Sequence, residues 1–116
     1  MAQRHVLFTF SHNPYGSIWY TEGLRAVVGV TSGIDEHTVD IVYLGDGVNF
    51  LRKDVDRTDS NKYLGTIAKL GTRLKAEKES LDARGIKPAD LAPDVDVITR
   101  SQVVDLIHKA DLTIDF

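Results

Sequence analysis

The 116-residue sequence contains no cysteine, which excludes disulfides, thiolate nucleophiles and cysteine-ligated metal centres for these residues. No apolar run approaches the roughly 20 residues that span a bilayer. The N-terminal MAQRHVLFTF, polar and then briefly apolar, reads as a first strand rather than a signal peptide. A net charge of -3 offers no basic footprint for nucleic acid or anionic lipid. Neither GxGxxG nor GxxxxGKS/T occurs, and there is no HxxxH pair or Asp/Asn-rich calcium loop, so no cofactor and no metal are expected. Internal repeats and low-complexity tracts are missing too. What is present, 42% apolar and 27% charged residues, is ordinary for a globular chain and implies one domain over 1–116, expected in the cytoplasm.

Strand and helix patterns alternate. HVLFTF (5–10) and VDIVYLG (39–45) are nearly continuous apolar runs, as in strands covered on both faces; RLKAE (73–77), VDVIT (95–99) and LTIDF (112–116) complete a set of five. Between them lie helical patterns at 17–33, ended by Gly33; at 46–53, with Asp46 placed to cap; at 61–71; at 78–85; and at 101–110, where Ser101 would cap and Val103, Val104, Leu106 and Ile107 would be buried. The polar segment 52–61 reads as an exposed loop. This order predicts an α/β fold, a three-layer α/β/α sandwich around a five-stranded, mainly parallel sheet. The apolar residues of the first helix do not keep to one stripe, so a neighbouring helix or another subunit must cover it. Trp19, Tyr20, Leu24 and Val28 are the candidate interface residues.

Ligands of open parallel sheets collect beyond the carboxyl ends of the strands. Here those ends are SHNPYGS, GDG, EKES and TRS. They supply His12, Asn13, Tyr15, Gly16, Asp46 and Glu77 as pocket candidates. His12 is the best-placed acid/base, yet no nucleophile accompanies it. A plain turn explains Pro14 and Gly16, and a tight turn with a capping aspartate explains Gly45, Asp46 and Gly47. His5, His37 and His108 read as surface or strand-edge residues, and Tyr43 and Tyr63 as packing residues.

HVLFTFSHNPYGSIWYTEGLRAVVGV followed by VDIVYLGDGV resembles the start of the DsrE/DsrF-like family. The likeness comprises the first strand, the turn at His12, Pro14 and Gly16, Glu22 to Leu24, the Gly45 to Val48 turn, LDARGI (81–86) and the terminal LTIDF; 52–72 match poorly. It implies a small α/β/α subunit working in oligomers, often hexameric, within sulfur-relay complexes. Carrier members hold a persulfide on a cysteine near the end of the third strand. Counted back from Arg84, Gly85 and Ile86, that position falls on Glu77, and a second cysteine of some members on Ser80. Neither side chain can replace a regenerable thiolate, so this chain cannot itself carry sulfur by that route. Its N-terminal signature is more similar to DsrF/TusC-type subunits, which are not the principal sulfur acceptors.

Three functions follow. The favoured one is a non-carrier subunit, not an enzyme, in a homo-oligomer (trimer or hexamer) or in a hetero-oligomer with cysteine-bearing DsrE-like paralogues. The alternative is a small-molecule-binding or sensor domain with a pocket at the strand ends. A hydrolase or isomerase using Glu77 or His12 as general base is the third.

Overall fold

The computed structural model describes residues 4–12, 18–31, 37–58 and 60–116. Five strands, β1 (His5–Phe10), β2 (Thr38–Tyr43), β3 (Leu74–Glu77), β4 (Val95–Ile98) and β5 (Leu112–Asp115), form one sheet in the order β4-β3-β2-β1-β5. Every pairing is parallel. The helices are α1 (Trp19–Thr31), α2 (Asn61–Lys69), α3 (Lys78–Ala83) and α4 (Arg100–Lys109). A 3-10 helix, Gly45–Leu51, follows β2, and a short one, Pro88–Asp90, follows α3.

Alternation along the strands sorts the core. Val6, Phe8 and Phe10 of β1 share a face with Ile41 and Tyr43 of β2 and Leu74 and Ala76 of β3. Against them pack Tyr20, Leu24 and Val27 of α1, Leu64 and Ile67 of α2, Val48, Phe50 and Leu51 of the 3-10 helix, and Leu81 of α3. The Phe10 and Tyr43 rings stack at 5.0 Å, and the Tyr20 and Tyr43 hydroxyls hydrogen-bond at 2.9 Å. Burial is the main reason both phenols titrate well above the ordinary tyrosine range. Tyr63 also packs, partly buried, on this cluster, as its sequence context suggested. The opposite face holds a smaller cluster of Leu7, Val42 and Val103, with Leu106 and Ala110 packed against it. Helix α4 therefore covers the second face, completing the layers.

Several expectations are corrected. The α4 N-cap is Thr99, not Ser101: its hydroxyl accepts from the Gln102 N–H at 3.2 Å while Gln102 Oε1 accepts from the Thr99 N–H at 2.9 Å. Thr99 leads because it is the last extended residue, which leaves Ser101 inside the first turn and exposed. Val104 and Ile107 are 42% and 43% exposed, because the contact with the sheet falls on Val103, Leu106 and Ala110. Asp46 is not a cap; it lies in the first turn of the 3-10 helix, whose N-cap is Leu44. His5, expected at the surface or a strand edge, is partly exposed on β1, which is interior to the sheet, and its imidazole Nε2 lies 2.7 Å from Asp40. The 52–61 segment is not wholly exposed, since Ser60 is buried and half-buried Arg57 reaches Asp94 at 3.5 Å. Tyr20 and Leu24, expected at an interface, turn into the subunit's own core at 6% and 0% exposure; Val28 packs partly buried on it. Trp19 is exposed, beside Ile18. The Gly33 cap lies outside the described residues.

No helix among the described residues is long and apolar enough to cross a membrane.

Candidate functional site

The chain steps from β1 to β4 through neighbouring strands, then crosses back over the whole sheet to β5. Consequently the connections leaving β3 and β4 part company: Leu81 of α3 joins the larger core, and Val103 of α4 the smaller one. A divergence of this kind opens a crevice at the strand ends, the usual ligand position in open α/β sheets. Glu77, the last residue of β3, sits there in register with Ile98 of β4.

The Glu77 carboxylate is 6% exposed and fully engaged. Its Oε1 accepts from the Ser80 hydroxyl at 2.5 Å and from Arg100 Nη2 at 3.1 Å, and its Oε2 from Arg100 Nε at 3.3 Å. Ser80, 4% exposed, accepts in turn from the Gly45 N–H at 2.9 Å. Glu79 accepts from the Arg100 backbone N–H at 2.8 Å, a carboxylate at the positive end of α4. On the other side Arg84 donates from Nη2 to Asp46 at 2.8 Å and from Nη1 to the Ser80 carbonyl at 3.1 Å. One network thus ties the ends of β2, β3 and β4 together.

Local sequence explains how. Gly45 adopts φ +56, a left-handed conformation that turns its N–H onto Ser80. At Gly47 a Cβ would lie 1.9 Å from the Phe10 carbonyl oxygen, so the 3-10 helix can approach β1 only with glycine there. The GDG motif is accounted for by this turn and by the Asp46–Arg84 ion pair.

The electrostatics oppose catalysis at Glu77. Burial pushes its pKa up and is the largest influence, but the Arg100 and Ser80 hydrogen bonds and the guanidinium charge together outweigh it. The carboxyl is held below the ordinary glutamate value. An ionised, sheltered and hydrogen-bonded carboxylate is a poor general base at neutral pH. Ser80 is equally sheltered, with its hydroxyl already committed to Glu77.

Of the pocket candidates, Asp46 and Glu77 join the network, linked through Ser80 and Arg84. His12 is exposed and takes no part; its ring lies 6.3 Å from that of Trp19. Asn13, Tyr15 and Gly16 lie outside the described residues. Sequence reasoning missed Arg100 as a site residue and read Arg84 only as part of LDARGI. The signal for Arg100 lay in EKES and TRS, but it becomes readable only once β3 and β4 are known to be parallel neighbours. Among the described residues no group of three or more His, Cys, Asp or Glu side chains could hold a metal ion.

The family model described as the DsrE/DsrF-like family matches residues 4–116. The chain belongs to that family. No curated protein matches it. Among solved structures, this DsrE/DsrF-like chain is similar to the ychN protein from E. coli, with TM-score 0.81 and 19% identity over 99% of this chain and 100% of that one. It is also similar to MTH1491 from Methanobacterium thermoautotrophicum, a protein of unknown function, with TM-score 0.71 and 20% identity over 99% and 100% of the two chains. At these identities the likeness is one of fold. The described arrangement accordingly sets a Glu77–Arg100 ion pair in the crevice of a DsrE/DsrF-like sheet.

Proposed function

We propose that this chain is a cysteine-free, non-carrier subunit of a DsrE/DsrF-like oligomer related to sulfur-relay complexes. Its contribution is to assembly and partner binding, not to turnover. The carrying observation is the state of Glu77: at the position where the family resemblance puts the carrier's thiol stands a carboxylate closed by Arg100 and Ser80. A persulfide carrier needs an accessible thiolate that can be regenerated. This junction offers neither a thiol nor access, and the depressed Glu77 pKa also weighs against a hydrolase or isomerase reading. The role is a cytoplasmic one, without membrane or nucleic-acid contact. The partners are further copies of the chain, in a trimer or hexamer, or cysteine-bearing paralogues.

The test is affinity capture of the tagged chain from its native host, followed by light scattering of the purified material. An oligomer containing a cysteine-bearing DsrE-like paralogue is expected. A stable monomer that captures no such paralogue sinks the proposal. A self-only oligomer that retains a small molecule through native mass spectrometry would replace it with the sensor reading.

A further inference from the structure

A cavity of about 310 Å³ opens between α2, the turn that follows it and the approach to β4. Its lining includes Leu74, which begins β3, and Asp94, which immediately precedes β4. Glu77 ends β3, so the cavity and the Glu77 crevice lie at opposite ends of the sheet. The inner wall is Leu64 and Ile67 of α2 with Leu74, all members of the larger core. Ala68 lines the cavity from the exposed side of α2. The surrounding backbone is held in place. The Gly71 N–H donates to the Ala68 carbonyl at 3.0 Å, closing the end of α2. Arg73 Nε reaches both Asp96 oxygens, at 2.9 and 3.0 Å, and its Nη2 donates to the Pro93 carbonyl at 3.0 Å. The Leu74 N–H donates to the Asp94 carbonyl at 3.3 Å. A site whose walls are fixed in this way asks no loop to order when a ligand enters.

The polar atoms of the lining are under-used. The Asp94 carboxylate accepts only from Arg57 Nη1, 3.5 Å from its Oδ1, and that guanidinium divides itself, its Nη2 turning to the Phe50 carbonyl at 3.4 Å. Among the described residues, Asp94 Oδ2 and the Thr72 hydroxyl have no hydrogen-bond partner. Charge is balanced here, with Arg57 against Asp94 and Arg73 against Asp96. An ion of either sign therefore gains little from this site. A neutral hydroxyl can use both free groups, because it donates to a carboxylate oxygen and accepts from another hydroxyl.

We propose that this cavity binds a small neutral alcohol or phenol. Its hydrocarbon part lies against Leu64, Ile67 and Leu74, and its hydroxyl donates to Asp94 and accepts from Thr72. An apolar wall with one or two convergent polar groups is the usual form of a small-molecule site. The size agrees: an apolar cavity of about 150 Å³ takes up benzene, and 310 Å³ leaves room for one substituted ring. The site is independent of the oligomer reading and goes beyond it, since it uses neither Glu77 nor a second chain.

The test uses p-cresol and toluene, which match in shape but differ by the hydroxyl. Each is titrated into the full-length chain carrying labelled isoleucine and leucine methyl groups, which NMR follows even in a large assembly. Saturable shifts at Leu64, Ile67 and Leu74 are expected with p-cresol, and toluene should bind about fivefold more weakly for want of one hydrogen bond. Asp94→Ala should remove that preference. Ala68→Phe, placed on the exposed side of α2, should fill the cavity and abolish the shifts with either probe while the remaining methyl spectrum stays that of the wild type. Absence of a saturable p-cresol shift at these methyls, or shifts confined to other parts of the chain, overturns the site. Equal affinity for the two probes in the wild type overturns the assignment of the hydroxyl to Asp94, and wild-type binding by a folded Ala68→Phe overturns the location.

Discussion

The two faces of the sheet are built from the same strands and differ sharply. One buries Phe8, Phe10, Ile41 and Tyr43 beneath α1, α2 and the 3-10 helix. The other buries Leu7 and Val42 beneath α4, with Leu44 and Ile98 packed beside them, and also carries charge: His5 Nε2 and Lys75 Nζ share the Asp40 carboxylate at 2.7 and 3.0 Å. The first face is a closed core in which each aromatic ring has a ring or an aliphatic side chain against it. The second resembles a surface roofed by a single helix. Stability is thus concentrated on one side of the sheet, while the polar network and the exposed α4 flank lie on or beside the other.

The most direct way to break the comparison is to cut an equivalent wedge from each side. Leu24, fully buried under the first face, becomes a cavity on Leu24→Ala, with an expected loss of about 3 kcal/mol. Val103→Ala removes two methyl groups from the thin side and should cost about 1.5 kcal/mol. At roughly 4 °C of melting temperature per kcal/mol, the two melts should separate by about 6 °C. Equal losses in thermal denaturation would mean that the second face is as well packed as the first.

The same contrast explains what could be read in advance. The first two strands were legible because parallel strands covered on both faces carry long apolar runs, as HVLFTF and VDIVYLG do, and the other three through their shorter β-branched or amphipathic patterns. Helix positions were legible for the same reason, through their spacing. Which side chains of a helix meet the sheet was not. In SQVVDLIHK, Val103, Val104, Leu106 and Ile107 form one apolar block, and only the placement of α4 decides that Val103 goes in and Val104 stays out. Tyr20 and Leu24 were misjudged likewise, as the broad apolar surface of α1 does not reveal which part faces its own core. At the crevice Glu77 and Asp46 were found because one ends a strand and the other lies in the turn just beyond one. Arg100 and Arg84 were not, because an ion pair between residues 23 or 38 apart depends on strand order, which composition does not specify.

Within the network, Ser80 is the joint most sensitive to truncation. Ser80→Ala deprives the partly buried Gly45 N–H of its acceptor and the Glu77 carboxylate of its shortest donor. Loss of a buried partner of this kind costs about 1–2 kcal/mol. Ser101→Ala, in the first turn of α4 and exposed, should change stability by less than about 0.5 kcal/mol. Urea titrations of the two variants separate a structural hydroxyl from a solvated one; matching midpoints would show that the network contributes nothing to folding.

The smallest effect is confined to acid. Glu77 titrates below the ordinary glutamate value of 4.5, so the unfolded chain takes up its proton first as pH falls. The stabilisation from this group is therefore complete above pH 4.5. It declines as pH falls from there through the lower folded value, and it vanishes once both states are protonated. Glu77→Gln keeps the shape and a hydrogen-bonding carbonyl but removes the charge, so its stability should be nearly flat over that acid window while the wild type falls. Above the window the variant should be the less stable of the two, since Arg100 then faces an amide. Chemical denaturation from pH 3 to 7 reads the difference in slope. Parallel curves would mean that the Glu77–Arg100 pair is no stronger in the folded crevice than its parts are in water, and the closed junction would lose its physical basis.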